Sequence, residues 1–148
     1  MHPATLIAIP AASLLLASAA APPRAGQWIS TATIVDVSAP GMPAGAVAMM
    51  KGKPRSHSYC LTQKQVEEAP EEMFRQTEGQ CQYKKFDMAG GKLDSVAVCT
   101  GGMGKMDMTM TGTYDATSYQ SHNVMRFSGP QGSMTMTAHV TGKRTGNC

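Results

Sequence analysis

Methionine is the residue type in this chain whose spacing bears most directly on chemistry: there are 13, against 3 Phe and 1 Trp. Five of them alternate with polar residues in two short runs. Residues 105–113 read KMDMTMTGT, with Met106, Met108 and Met110 separated by Asp107 and Thr109. Residues 133–140 read SMTMTAHV and repeat the device with Met134 and Met136. Side chains two apart on a β-strand share a face, so each run projects its thioethers from one side. Such a face can be plain core, because Met is unbranched and fills irregular gaps. It can instead line a pocket for a lipid-like ligand or meet an envelope partner. Thioethers also bind soft ions such as Cu(I), and they oxidise reversibly to sulfoxide, which buffers oxidant. One strand cannot hold an ion alone, since thioethers two apart stand about 7 Å from each other. Cross-strand neighbours are needed.

The other chemistry-bearing residues are less organised. His122 and His139 fall opposite one another if the chain turns at 130–131, on the threonine side with Thr111 beside His122. Two facing histidines can hold a metal, but no third ligand is evident, and surface histidines are the plainer reading. His57 falls in a loop-like context and is uninformative. Asp87, Asp94, Asp107 and Asp115 are scattered with no pair to share a proton. Glu67, Glu68, Glu71 and Glu72 read as a solvated face. No nucleophile elbow, H-E-x-x-H, P-loop or dinucleotide fingerprint is present. Gly101, Gly102 and Gly104 join two strands and offer no helix N-terminus to a phosphate. The expectation is a non-enzyme without a cofactor.

The elements that position the methionines can be read from alternation and turn residues. Strands are expected at 27–37, 57–61, 81–87, 92–100, 105–114, 119–127 and 133–144. The last five are joined by short Gly-, Pro- or Asp-containing turns and form an antiparallel meander. The strand holding Trp28 would pair with the meander or close it. A turn at 116–117 sets Met106 opposite Phe127 and Met108 opposite Met125. The turn at 130–131 sets Phe127 opposite Met134 and Met125 opposite Met136. Met106, Met108, Met110, Met125, Phe127, Met134 and Met136 then share one face, the candidate ligand face. Residues 38–54 hold Pro40, Pro43 and Pro54 with Gly41, Gly45 and Gly52, and read as a long loop. Thr62 and Gln65 have capping-box spacing and open a short helix from Gln63 to about Glu68, which Pro70 breaks or follows with a second turn towards Phe74.

Residues 1–20 read as a signal peptide. The apolar stretch 6–20 is too short to span a membrane, and small residues from Ala17 to Ala21 place cleavage near Ala19 to Ala21. The n-region carries His2 but no Lys or Arg. A single β-rich domain over 22–148 follows, without a transmembrane segment, in the periplasm or secreted. The four cysteines fit that compartment as two disulfides. Cys81 and Cys99 lie symmetrically about Gly90 and pair across a hairpin, which leaves Cys60 for Cys148.

With 148 residues, 16% charged and a net charge of +3, the chain is one domain and lacks the concentrated basic face of a nucleic-acid binder. Lys51, Lys53 and Arg55 come near Lys143 and Arg144 if Cys60 bonds Cys148, a basic pairing that could touch anionic lipid or simply be solvated. The fold class is therefore mainly β: an antiparallel meander, as a curved sheet or partly closed barrel, with one short helix and two disulfides.

Taken together, Gly26-Gln27-Trp28, Pro40-Gly41-Met42-Pro43, Cys60-Leu61-Thr62, the Cys81/Cys99 hairpin, the repeated Met-Thr-Met strands and the closing Gly142-Lys143-Arg144-Thr145-Gly146-Asn147-Cys148 resemble a family of small exported bacterial proteins, domain of unknown function 3617. The likeness runs over nearly the whole mature chain. In the family a Pro-Gly-Leu-Trp-Glu start is typical, where this chain has Ala25-Gly26-Gln27-Trp28-Ile29. The resemblance implies export, paired cysteines and a β-rich fold, and brings no activity, ligand or catalytic residue.

Overall fold

The computed structural model describes residues 20–74, 80–101, 104–130 and 132–148. The signal peptide read at 1–20 lies, apart from Ala20, outside them. Seven strands form one antiparallel sheet: β1 (Gly26–Ser38), β2 (Arg55–Leu61), β3 (Gln80–Ala89), β4 (Lys92–Gly101), β5 (Gly104–Tyr114), β6 (Ser118–Gly129) and β7 (Gly132–Gly146). Their spatial order is β2-β1-β7-β6-β5-β4-β3. The meander from β3 to β7 is as the alternation predicts. β1 pairs with β7 on one side and with β2 on the other. Because β2 follows β1 instead of β3, the sheet stays open and the barrel alternative is not realised.

Turn chemistry sets the register. Gly90 and Gly91 both have positive φ, 58° and 76°, as a two-residue hairpin turn requires. At the next turn the Asp115 carboxylate accepts from the backbone N–H of Thr117 at 2.7 Å and of Ser118 at 2.8 Å, locking the chain between β5 and β6. Irregularities between Ile34 and Asp36, and between Tyr83 and Lys85, each insert a residue and reverse the alternation, so that Val37 joins Ile34, and Phe86 joins Tyr83, on the inner face.

Two short helices are present where one was expected. α2 (Gln63–Glu68) carries the capping box: Gln65 N–H donates to Thr62 Oγ1 at 3.2 Å, and Thr62 N–H donates to Gln65 Oε1 at 2.9 Å. A 3-10 helix (Pro70–Phe74) continues it. The other helix, α1 (Ala44–Met50), lies in the stretch expected as loop. Pro43 stands just before its first turn, where a missing N–H costs nothing, and Ala and Met are strong helix formers. Counting prolines hid it.

The core lies on one face of the sheet. Trp28, Leu93, Met110, Tyr114, Tyr119, Ala138 and Val140 point to that side, and Leu61, Met73 and Phe74 complete the cluster from the α2 region. Phe74 anchors this cover, edge-on to Tyr119 at 5.1 Å and tilted against Phe86 at 6.1 Å. Tyr119 OH in turn donates to Ser30 Oγ at 2.9 Å. The opposite face carries threonines and charges. Both disulfides are formed as paired from the sequence, Cys60 with Cys148 and Cys81 with Cys99.

Candidate functional site

The inner face is a grid of cross-strand rows. One row runs Tyr83, Ala97, Met108, Met125, Met136, Val37 from β3 to β1. The row beside it runs Cys81, Cys99, Met106, Phe127, Met134. A third, on the side of the α2 cover, runs Phe86, Ser95, Met110, Asn123, Ala138, Ile34. All seven candidate ligand-face residues therefore share a side.

They do not share an environment. Met110 is 2% exposed and belongs to the core, so for this residue the plain packing role holds. Met108 and Met125 lean on the core but stay partly buried, and Met106, Phe127, Met134 and Met136 are half-buried. The cover supplied by Met73 and Phe74 packs with Met110 and Tyr119, leaving the two outer methionine rows only partly shielded. Those rows contain no charged residue.

Polar atoms mark the boundary between core and open rows. Ser95 and Asn123 flank Met110 in the third row, and Ser121 sits two residues from Asn123 on β6. Ser95 and Ser121 are 1% and 3% exposed, and Ser95 Oγ, Ser121 Oγ and Asn123 Oδ1 meet no hydrogen-bond partner among the described residues. The sequence reading passed over this trio, although the alternation that placed Met125 and Phe127 inward places Asn123 and Ser121 inward too. Farther along the same face, burial pushes the Tyr59 phenol far above its ordinary range, and the neighbouring Tyr119 adds to the shift. Its hydroxyl lies near that of Tyr119 without finding a partner of its own among the described residues.

The chain from residue 23 to 148 matches the family model described as protein of unknown function (DUF3617). It belongs to the DUF3617 family. No curated protein and no solved structure matches it.

On the other face of this DUF3617 domain, His122 and His139 are cross-strand partners as the turn at 130–131 requires, with Thr111 opposite His122. Both are exposed, and no group of three His, Cys, Asp or Glu fit to hold a metal occurs among the described residues. Near them a shallow hollow of about 370 Å³ is lined by Thr113, Asp115, Ser118, Gln120 and Thr141 with the two adjoining tyrosines. Two of the basic groups are tied into local contacts: Lys51 pairs with Asp36 at 3.3 Å, and Arg144 donates to Ala25 O at 2.8 Å and to Asn147 Oδ1 at 2.7 Å. No helix of the described residues is long and apolar enough to cross a membrane.

Proposed function

We propose that this DUF3617 protein is an exported, non-enzymatic β-domain that holds an uncharged apolar molecule against the open methionine rows. One observation carries the reading: on a single face, Met110 is sealed in the core while Met106, Met108, Met125, Phe127, Met134 and Met136 remain partly accessible, in rows without a charge. A ligand that covers about 200 Å² of such surface gains about 5 kcal/mol before its own ordering is counted. Flexible thioethers adapt to ligands of differing shape. Two disulfides support an oxidising compartment, and the apolar leader at 1–20 supports export.

The test is a titration of the purified domain with N-phenylnaphthylamine, an uncharged probe that brightens in apolar surroundings. Saturable binding is expected, lost in Met125→Lys, which sets a charge in the middle of the row. Native mass spectrometry of protein taken from its own envelope should show a retained apolar mass. No saturable signal and no retained mass would overturn the proposal.

A further inference from the structure

The row of Met108, Met125 and Met136 carries a second inference. These residues are direct cross-strand partners on three adjacent strands, β5, β6 and β7, so their thioethers stand side by side on one face. We infer that they form a three-thioether site for a monovalent soft cation, Cu(I) or Ag(I).

Geometry allows convergence. Adjacent strands lie about 4.8 Å apart, so the outer two residues start about 9.6 Å from each other. With metal–sulfur bonds of about 2.3 Å, a trigonal ion needs its sulfurs about 4 Å apart. Each outer thioether must lean inward by just under about 3 Å, within reach of a side chain with three rotatable bonds.

Chemistry selects the ion. Thioethers are soft and neutral, and they favour Cu(I) over harder divalent ions. The two open rows hold no carboxylate to offset a double charge. All four cysteines are consumed in disulfides, so methionine is the soft donor that remains. Partial burial of Met108, Met125 and Met136 leaves the row open to an entering ion.

The experiment uses the oxidised protein and anaerobic Cu(I) held by bicinchoninate, with Ag(I) as a redox-inert check. Withdrawal of one equivalent of Cu(I) is expected, with sulfur as the sole donor type in X-ray absorption. Met108→Leu, Met125→Leu and Met136→Leu should each weaken binding by about tenfold or more, while Met49→Leu, on the exposed helix α1, leaves it unchanged. No withdrawal of Cu(I), nitrogen or oxygen donors at the metal, or full affinity in the triple leucine variant would overturn the inference. Buried Trp28 reports whether each variant is folded, and the absorption spectrum of the unaltered protein decides the matter if the triple variant is not. Leucine keeps the face apolar, so N-phenylnaphthylamine binding should survive in the single variants. In the unaltered protein, absence of Cu(I) binding with probe binding intact refutes this site only, and absence of probe binding with Cu(I) binding intact refutes the apolar-ligand reading only.

Discussion

Replacing Cys60 and Cys148 together with Ser should destabilise the domain more than replacing Cys81 and Cys99. The first bridge spans 88 residues and the second 18. In the chain-entropy treatment, losing them costs about 4.6 and about 3.2 kcal/mol at 25 °C. The long loop contains the short one, and with the short bridge intact its effective length falls to about 70 residues, which lowers the first figure to about 4.4 kcal/mol. The structure points the same way. Cys81 and Cys99 are register partners in a hairpin already held by its own ladder, whereas Cys60 on β2 and Cys148 beyond β7 are joined across β1. The assay is guanidinium denaturation followed by fluorescence of Trp28, the sole Trp, which is fully buried near Cys60's register partner Gln27. A gap of about 1 kcal/mol between the two double variants is expected. If the Cys81/Cys99 variant proves the less stable, loop entropy does not govern these bridges and the reasoning is refuted.

An added Cβ at Gly142 would strike the Tyr119 ring, which is pinned by Ser30, Phe74 and Trp28. Gly142→Ala should therefore cost about 2–3 kcal/mol and lower the Tm by about 10 °C, and an unchanged melting curve would contradict that packing. The Ser118 hydroxyl, followed by the Thr117 N–H, holds the Asp115 carboxyl below its usual 3.8. A lowered value in the fold means stability that is present above that pH and lost as the pH falls through the lower one. The stability gap between the unaltered protein and Asp115→Asn, read from urea midpoints, should thus narrow on going from pH 6 to below pH 3. A constant gap would rule this out. Under dilute peroxide, peptide mapping should find Met49, 71% exposed, oxidised first, then the half-buried methionines, with Met73 and Met110 last. Equal rates for Met110 and Met125 would contradict the division of the face.

The register of three hairpins was legible because two constraints coincide. Turn residues at 90–91, 115–117 and 129–131 fix where the chain reverses, and strict alternation then permits one pairing that keeps Met125 opposite Met108 and Met136. The pairing of Cys81 with Cys99 came from the same symmetry. That the strand of Trp28 would join the meander was legible, but whether it would pair with one edge or close the sheet was not, because its β7 partners lie roughly a hundred residues or more away and no local turn links them. Nor was helix α1, whose flanking Pro40, Gly41, Pro43 and Gly52 read as loop although none of them lies inside it. The split of the methionine face escaped for a related reason. It depends on where Met73 and Phe74 settle after Pro70, and alternation within a strand carries no information about what lies above it.

An unclosed sheet has two borders, and here each border strand is welded to the interior. Cys81 binds β3 to β4, and Cys60 binds β2 to the tail that follows β7. Spare N–H and C=O groups along a border are the usual invitation to foreign strands, and exchange begins when a border peels away. With a cystine on each outer strand, complete detachment of either is restrained while that bridge is intact. The oxidised chain thereby restrains by cross-links the borders that other β-proteins abolish by curling into a cylinder, and one methionine-lined surface stays partly uncovered.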